Sequence, residues 1–112
     1  MTRNEFQRLN DILESTDFLL EMTSAGSATF FGDRFRQLAA ERLLEIIGEA
    51  ANALTSDIRR NYPEIAWDEI IRLRHLLAHH YHRIDPAHIW SIATNEIPTL
   101  SEALRDRLSR EN

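Results

Sequence analysis

Residues 72–83 carry the side chains in this chain that are best suited to chemistry. The stretch holds three of the 13 basic residues and four of the five histidines, and no carboxylate. The chain has a formal charge of −5, so removing the three positive charges of this stretch leaves −8 on the remainder. Within the stretch, Arg74, His79 and Tyr81 form the pattern R-x4-H-x-Y. A basic, histidine-rich segment on an acidic chain is a candidate functional site.

Histidine and arginine are the residue types that RNA cleavage without a metal requires. Attack of the RNA's own 2′-hydroxyl needs a group that takes or gives a proton near neutral pH, which histidine does. The phosphate needs a donor that holds it as negative charge builds, and the planar guanidinium of arginine fits that oxyanion. Arg74 and His79 are therefore candidate catalytic residues, and Tyr81 could position the phosphate or stack on a base.

Helix geometry restricts how Arg74 and His79 can meet. Five residues at about 100° each place them roughly 140° apart around a continuous helix, whereas Arg74 and Tyr81 share a face. The two could converge if the helix ends near His79, or across a two-fold axis where each chain lends side chains to one cleft. We expect both.

The spacing alone leaves a purely structural interpretation open. Three fixed residues at fixed offsets would occur by chance in roughly one chain in a hundred of this composition. In that interpretation Arg74 pairs with a helix acid such as Glu69 or Glu49. Tyr81 then packs against Trp90, and the histidines are solvated.

A metal site is a further alternative, because His75 and His79 have the i,i+4 spacing of zinc ligands and His80 or His82 could complete a set. No acid lies within the stretch, no glutamate follows His75, and the chain has no cysteine. We therefore expect neither a metal nor a cofactor.

Helical periodicity dominates the elements that must position these residues. A first helix is expected over residues 3–22 and a second over 33–54, with Asp33 as its N-cap. A third begins near residues 66–68 and leads into the motif, and a last one runs from Asp85 to about residue 108. Pro98 should kink or divide that last helix near Glu96. The apolar stripe expected to be buried on the second helix is Phe35, Leu38, Ala39, Leu43, Ile46, Ile47, Ala50 and Leu54.

Composition supports an all-α, up-and-down bundle of four to five helices in one domain, residues 1–112. Three glycines, three prolines and no valine argue against a sheet. Gly48 should allow two helices to approach closely. The start of the chain lacks the apolar core of a signal peptide, and no run approaches the ~18 apolar residues of a membrane span. We therefore expect a cytoplasmic protein without a membrane partner.

Five groups of residues resemble the HepT-like branch of the HEPN superfamily, in order and over most of the chain. They are EIIGEAA at 45–51, YPEIAW at 62–67, the motif from Arg74 to Tyr81, Ile84-Asp85 and Ile89-Trp90. The resemblance implies a homodimeric helical bundle in which the motifs meet at the subunit cleft.

The resemblance also implies a metal-independent ribonuclease, the toxin of a type VII-like toxin–antitoxin pair. Arg74 and His79 become the catalytic pair, with RNA as the substrate. The implied antitoxin is a minimal nucleotidyltransferase that blocks the toxin by adding AMP to Tyr81. His75 stands where asparagine is usual and keeps a polar, supporting side chain beside the arginine, and His80 stands where many relatives have glycine.

A binding module is the main rival function. A protein of this shape could serve as the substrate-binding partner of a nucleotidyltransferase without cleaving anything, and the motif would then be a docking or modification site. RNA cleavage by the purified protein separates the two hypotheses.

Overall fold

The computed structural model describes residues 2–79 and 84–111, and all regular structure in those residues is helical. This confirms the predicted all-α bundle, and the described residues form five helices of ten or more residues and two short ones. The bounds are α1 Arg3–Thr23, α2 Ser27–Phe31, α3 Arg34–Ala53, α4 Ser56–Arg60, α5 Trp67–His79, α6 Pro86–Asn95 and α7 Ile97–Glu111. No helix among the described residues is long and apolar enough to cross a membrane.

Local capping sets the helix starts that the sequence predicts. The Asp33 carboxylate accepts hydrogen bonds from the backbone N–H groups of Phe35 and Arg36 at the start of α3. Asp85 accepts one from Ala87 at the start of α6, where Pro86 occupies the first turn. Both caps satisfy N–H groups that a helix cannot pair internally.

The last predicted helix is divided at Glu96, as expected from Pro98. The Glu96 N–H donates to the carbonyl of Ile92 and closes α6 at 2.9 Å, and α7 begins at Ile97. Pro98 then lies in the first turn of α7, where a missing N–H removes no helical hydrogen bond.

Helix α3 lies at the centre of the bundle, with α1 on one side and α5 on the other, and α7 packs against α1. Its buried face consists of Ala40, Leu44, Ile47 and Ala51. Because truncating a fully buried Leu or Ile to Ala costs about 2–5 kcal/mol, this face holds α3, and with it α5, firmly in place.

The predicted apolar stripe of α3 is wrong at its N-terminal end and only partly correct beyond it. Ile47 and Leu54 are buried, whereas Ala39, Leu43, Ile46 and Ala50 are half-buried. Phe35 is 85% exposed and Leu38 is 45% exposed. Twelve residues separate Phe35 from the buried Ile47, which turns them about 120° apart on the helix, so one stripe cannot contain both. The described residues leave the Phe35–Leu38 side of α3 uncovered.

The small-residue break after α1 contains a helix that the sequence pattern did not predict. Gly26, at φ 97°, precedes α2, and Phe30 of α2 is fully buried. The buried Gln37 side chain on α3 donates to the carbonyls of Phe30 and Phe31 at 3.1 and 3.0 Å. These bonds satisfy the end of α2 and fasten it to α3.

Candidate active site

Helix α5 carries Arg74 and the backbone of His79, and its N-terminal end is anchored before the motif begins. The Trp67 indole N–H donates to the Arg59 carbonyl at 3.1 Å, and the ring meets Tyr62 edge to face with centroids 6.3 Å apart. Ile70 and Leu73 are buried further along the helix, which packs on α3. Trp67 thus packs as part of the core, and these contacts determine how α5 presents Arg74.

Arg74 passes directly over Gly48 of α3. A Cβ built on Gly48 would lie 2.3 Å from the Arg74 Cβ and 2.9 Å from its Cγ. Cβ contacts below about 3 Å are not seen in real structures, so residue 48 must lack a side chain for Arg74 to lie here. The sequence predicted a close helix approach at Gly48, and the structure identifies Arg74 as the residue that uses it.

The Arg74 guanidinium pairs loosely with one carboxylate. Its Nη2 lies 3.9 Å from Oε1 of Glu49; the Arg74 side chain is 22% exposed and that of Glu49 is 61% exposed. The purely structural interpretation named Glu69 or Glu49 as the partner of Arg74, and the ion pair is with Glu49. A pair this exposed is worth about 0–1 kcal/mol, so it contributes little to the stability of the fold.

The Arg74 Nε is buried and has no hydrogen-bond partner among the described residues. Leaving a buried donor unsatisfied costs about 1–3 kcal/mol, and a catalytic role is one of the reasons for which native proteins retain such a group. The stem is thus fixed by packing, while the terminal nitrogens keep donors available for an anion.

Of the predicted site residues, the described structure includes the side chains of Arg74 and His75. The backbone of α5 is helical through residue 79, so positions 74 and 79 stand about 140° apart around the axis. The side chain of His79 lies outside the described part of the structure, as do His80, Tyr81 and His82. The supporting residue His75 is exposed on α5.

Trp90 belongs to an aromatic cluster with α2. Its ring centroid lies 5.3 Å from that of Phe30 and 5.9 Å from that of Phe31. Trp90 therefore packs between α6 and α2. Its suggested contact with Tyr81 falls outside the described residues.

The metal hypothesis has no support in the described residues. They contain no group of three His, Asp or Glu side chains placed to hold a metal ion. The pairing of His75 with His79 is not tested, because it depends on a side chain outside that set.

The chain is an all-helical bundle in which one packed helix presents the arginine of an R-x4-H-x-Y pattern. These are the features expected of a HepT-like protein. The model of the family described as "Ribonuclease HepT-like" matches residues 12–106. The chain belongs to this HepT-like ribonuclease family, within the HEPN superfamily.

Individual relatives are similar to this chain over most of their length. A Thermococcus cleftensis protein named "Probable ribonuclease HepT" is 37% identical over 101 residues, which is 89% of this chain and 92% of the relative. A Methanocaldococcus jannaschii protein provisionally named as a ribonuclease is 35% identical over 95 residues, 84% of this chain and 87% of the relative. A similarly named Caldanaerobacter subterraneus protein is 34% identical over 104 residues, 92% and 93% of the two chains. No solved structure matches the chain significantly.

Proposed function

We propose that this chain is a metal-independent endoribonuclease, the toxin of a type VII-like toxin–antitoxin pair, in which Arg74 and His79 act on the scissile phosphate. The observation that carries the proposal is the setting of Arg74. Its stem is fixed over Gly48, its Nε is buried, and its only ion pair among the described residues is the long one to Glu49. A rigidly held guanidinium with available donors suits an oxyanion that forms during the reaction.

The reaction needs no group that the chain lacks. The RNA 2′-oxygen attacks the adjacent phosphorus as its proton leaves to a base, and the bond from phosphorus to the 5′-oxygen breaks as that oxygen gains a proton. The products are a 2′,3′-cyclic phosphate and a 5′-hydroxyl. His79 takes the proton of the 2′-hydroxyl and gives it to the 5′-oxygen. Arg74 stabilises the charge on the phosphate, and Tyr81 and His75 support the substrate.

Two copies of the chain complete the site in this proposal. Positions 74 and 79 face different ways on α5, so a second subunit is the simplest source of the missing partner. The exposed Leu38 supports the same arrangement, because it lies on the side of α3 that also carries Glu49, eleven residues and three turns later. A large exposed apolar side chain in that place is suited to a subunit contact.

Control by a minimal nucleotidyltransferase forms the second half of the proposal. The Tyr81 phenol oxygen attacks the α-phosphorus of ATP as its proton leaves to a base, and the bond to pyrophosphate breaks. The AMP that stays on Tyr81 is a bulky, negatively charged group two residues from His79. That group would compete with the RNA phosphate for Arg74 and block the cleft.

The test is cleavage of RNA by the purified chain in the presence of a chelator. Light scattering establishes the dimer and intact mass establishes that Tyr81 is unmodified. We expect single-stranded RNA to be cut to products with 2′,3′-cyclic phosphate ends, and His79→Ala to abolish cutting. The matched control is His88→Ala, which removes an exposed histidine of α6 outside the motif. Intact RNA after incubation with the unmodified dimer would reject the nuclease and favour the binding-partner function.

A further inference from the structure

A groove of about 620 Å³ lies between α4 and the first half of α5, away from the Arg74–Gly48 contact. Arg59, Arg60 and Arg72 line it, together with the apolar surface of Pro63 and Ala66. We propose that this groove binds the single-stranded RNA on its way to the motif, with phosphates on the arginines and a base on the apolar surface. The inference rests on the proposed function, whose substrate it positions.

Two of the three arginines form no ion pair with an acid of the described residues. Arg60 pairs with Asp57 on α4. Arg59 and Arg72 form no ion pair there, as is also true of Arg3, Arg8 and Arg107, whereas Arg34, Arg36, Arg42, Arg74, Arg105 and Arg110 all do. Such arginines on a chain of charge −5 are available to phosphate, which the planar guanidinium can bind through two donors at once.

A hydrogen bond joins α4 and α5, the two sides of the groove, and holds them in place. The Trp67 indole N–H, at the start of α5, donates to the carbonyl of Arg59 at 3.1 Å. This bond ties α4 to α5 and leaves the Arg59 side chain to line the groove. A site whose walls are fixed in advance loses less entropy when a ligand binds.

Apolar and cationic surfaces occur side by side in this groove. Pro63 is exposed and Ala66 half-buried, so both can contact a ligand. Sites for single-stranded nucleic acid combine a cationic path for the backbone with side chains on which bases pack, most often aromatic ones. In this groove Pro63 and Ala66 supply the apolar contact. A site for a bare anion would not need the second component.

Asp68 and Glu69 also line the groove and oppose the arginines. Both lie in the first turn of α5, where the helix dipole stabilises a carboxylate. In the described part of the chain neither forms an ion pair with Arg72, although the i,i+4 and i,i+3 spacings permit one. These acids should weaken RNA binding. Neutralising them should therefore strengthen binding, whereas removing the arginines should weaken it.

Arg72, the last residue along α5 that lines the groove, lies on the same face of the helix as position 79. Arg72 and residue 79 are seven residues apart, so they recur on the same face about 10 Å apart along the axis. A single-stranded RNA bound at Arg72 would therefore reach position 79 within a few nucleotides. Arg74 lies about 200° from Arg72 around the axis, on nearly the opposite side of α5. An RNA bound at Arg72 would therefore meet the Arg74 of a second subunit more readily than that of its own.

The experiment measures binding of a labelled single-stranded RNA by the dimer carrying His79→Ala, at several salt concentrations. Arg59→Ala and Arg72→Ala should each weaken binding by about threefold to tenfold and lower the salt slope by about 0.7. Asp68→Asn and Glu69→Gln should strengthen binding. Arg3→Ala removes an exposed arginine at the start of α1, outside the groove, and should change neither quantity. Arg59→Lys and Arg72→Lys should keep the salt slope, and melting temperatures verify that each variant folds.

The two proposals fail separately. If the protein with His79 cleaves RNA and the Arg59 and Arg72 variants bind and cut it as well as their parent, the groove inference is overturned and the nuclease remains. If the dimer binds RNA through these arginines but the protein with His79 intact never cuts it, the nuclease is rejected and the groove remains. Loss of nucleotidyltransferase binding without loss of RNA binding would identify a protein-docking surface and overturn the inference.

Discussion

Arg74 and Gly48 are in direct contact across the α3–α5 interface, and the contact exists because residue 48 has no side chain. A Cβ at position 48 would lie 2.3 Å from the Arg74 Cβ and 3.2 Å from the carbonyl oxygen of Ile70. The second contact involves backbone, which cannot move aside as a side chain can. Position 48 thus determines both where α5 lies and where the arginine of the motif points.

Replacing Gly48 with alanine should reduce both stability and RNA cleavage. A methyl group at this position overpacks the interface at a cost of about 1–3 kcal/mol, against a gain of about 1 kcal/mol in helix propensity. Cleavage should fall more steeply, because Arg74 must move. Urea unfolding and the cleavage rate measure the two effects.

The matched control for this substitution is Asn52→Ala, which introduces the same residue at an exposed position of α3. It gains helix propensity without overpacking, so the free energy of unfolding should rise by up to about 0.7 kcal/mol and cleavage should stay intact. Cleavage by Gly48→Ala at the parent's rate would contradict the role assigned to position 48.

Neutralising Glu49 should improve RNA binding rather than impair the fold. Its carboxylate lies 3.9 Å from the Arg74 guanidinium and is well exposed. At that distance in water a unit charge is worth about 1 kcal/mol, so Glu49→Gln should lower KM by about fivefold with little change in melting temperature. Glu45→Gln is the matched control, because Glu45 pairs with Arg42 one turn earlier on α3. A fall in kcat at constant KM would instead make Glu49 a residue that orients Arg74.

Arg74→Lys should separate the chemistry of the guanidinium from its packing. Lysine keeps the positive charge and a long stem over Gly48 but loses the planar fork that binds a phosphate through two donors. We expect the free energy of unfolding to change by less than about 1 kcal/mol and cleavage to fall at least about a hundredfold. Circular dichroism melts and single-turnover cleavage make the comparison. Retained cleavage would show that charge alone suffices at this position.

Leu38→Glu should dissociate the proposed dimer without unfolding the subunit. Leu38 is 45% exposed, so a glutamate there meets water in the monomer but a subunit contact in the dimer. Sedimentation equilibrium should report a shift to monomer, and cleavage should fall with it. Phe18→Glu, at a comparably exposed position on α1, provides the control. A variant at Leu38 that remains dimeric and active would place the interface elsewhere.

Tyr81→Phe should prevent AMP addition by a co-expressed minimal nucleotidyltransferase. The phenol oxygen is the nucleophile in this proposal, and phenylalanine lacks only that oxygen. Intact mass of the purified chain should show AMP on the parent and none on the variant. Tyr62→Phe is the control, because Tyr62 is buried and its replacement should leave AMP addition unchanged. AMP on the Tyr81 variant would identify another acceptor.

The sequence alone determined the features that depend on neighbours along the chain. The starts of α3 and α6 follow from Asp33 and Asp85, whose side chains bond to N–H groups two or three residues away. The division at Glu96 follows from Pro98 for the same local reason. Family membership and the motif depend on residue identities and spacing, so they too could be predicted before any coordinates.

Only the tertiary structure decided the relationships between residues that are distant in sequence. The contact of Arg74 with Gly48, and the choice of Glu49 over Glu69 as its ion-pair partner, depend on how α5 packs on α3. The exposure of Phe35 and Leu38 depends on which faces of α3 the other helices cover. Helical periodicity states which residues share a face but not which helix covers that face, because covering is a property of the packed bundle.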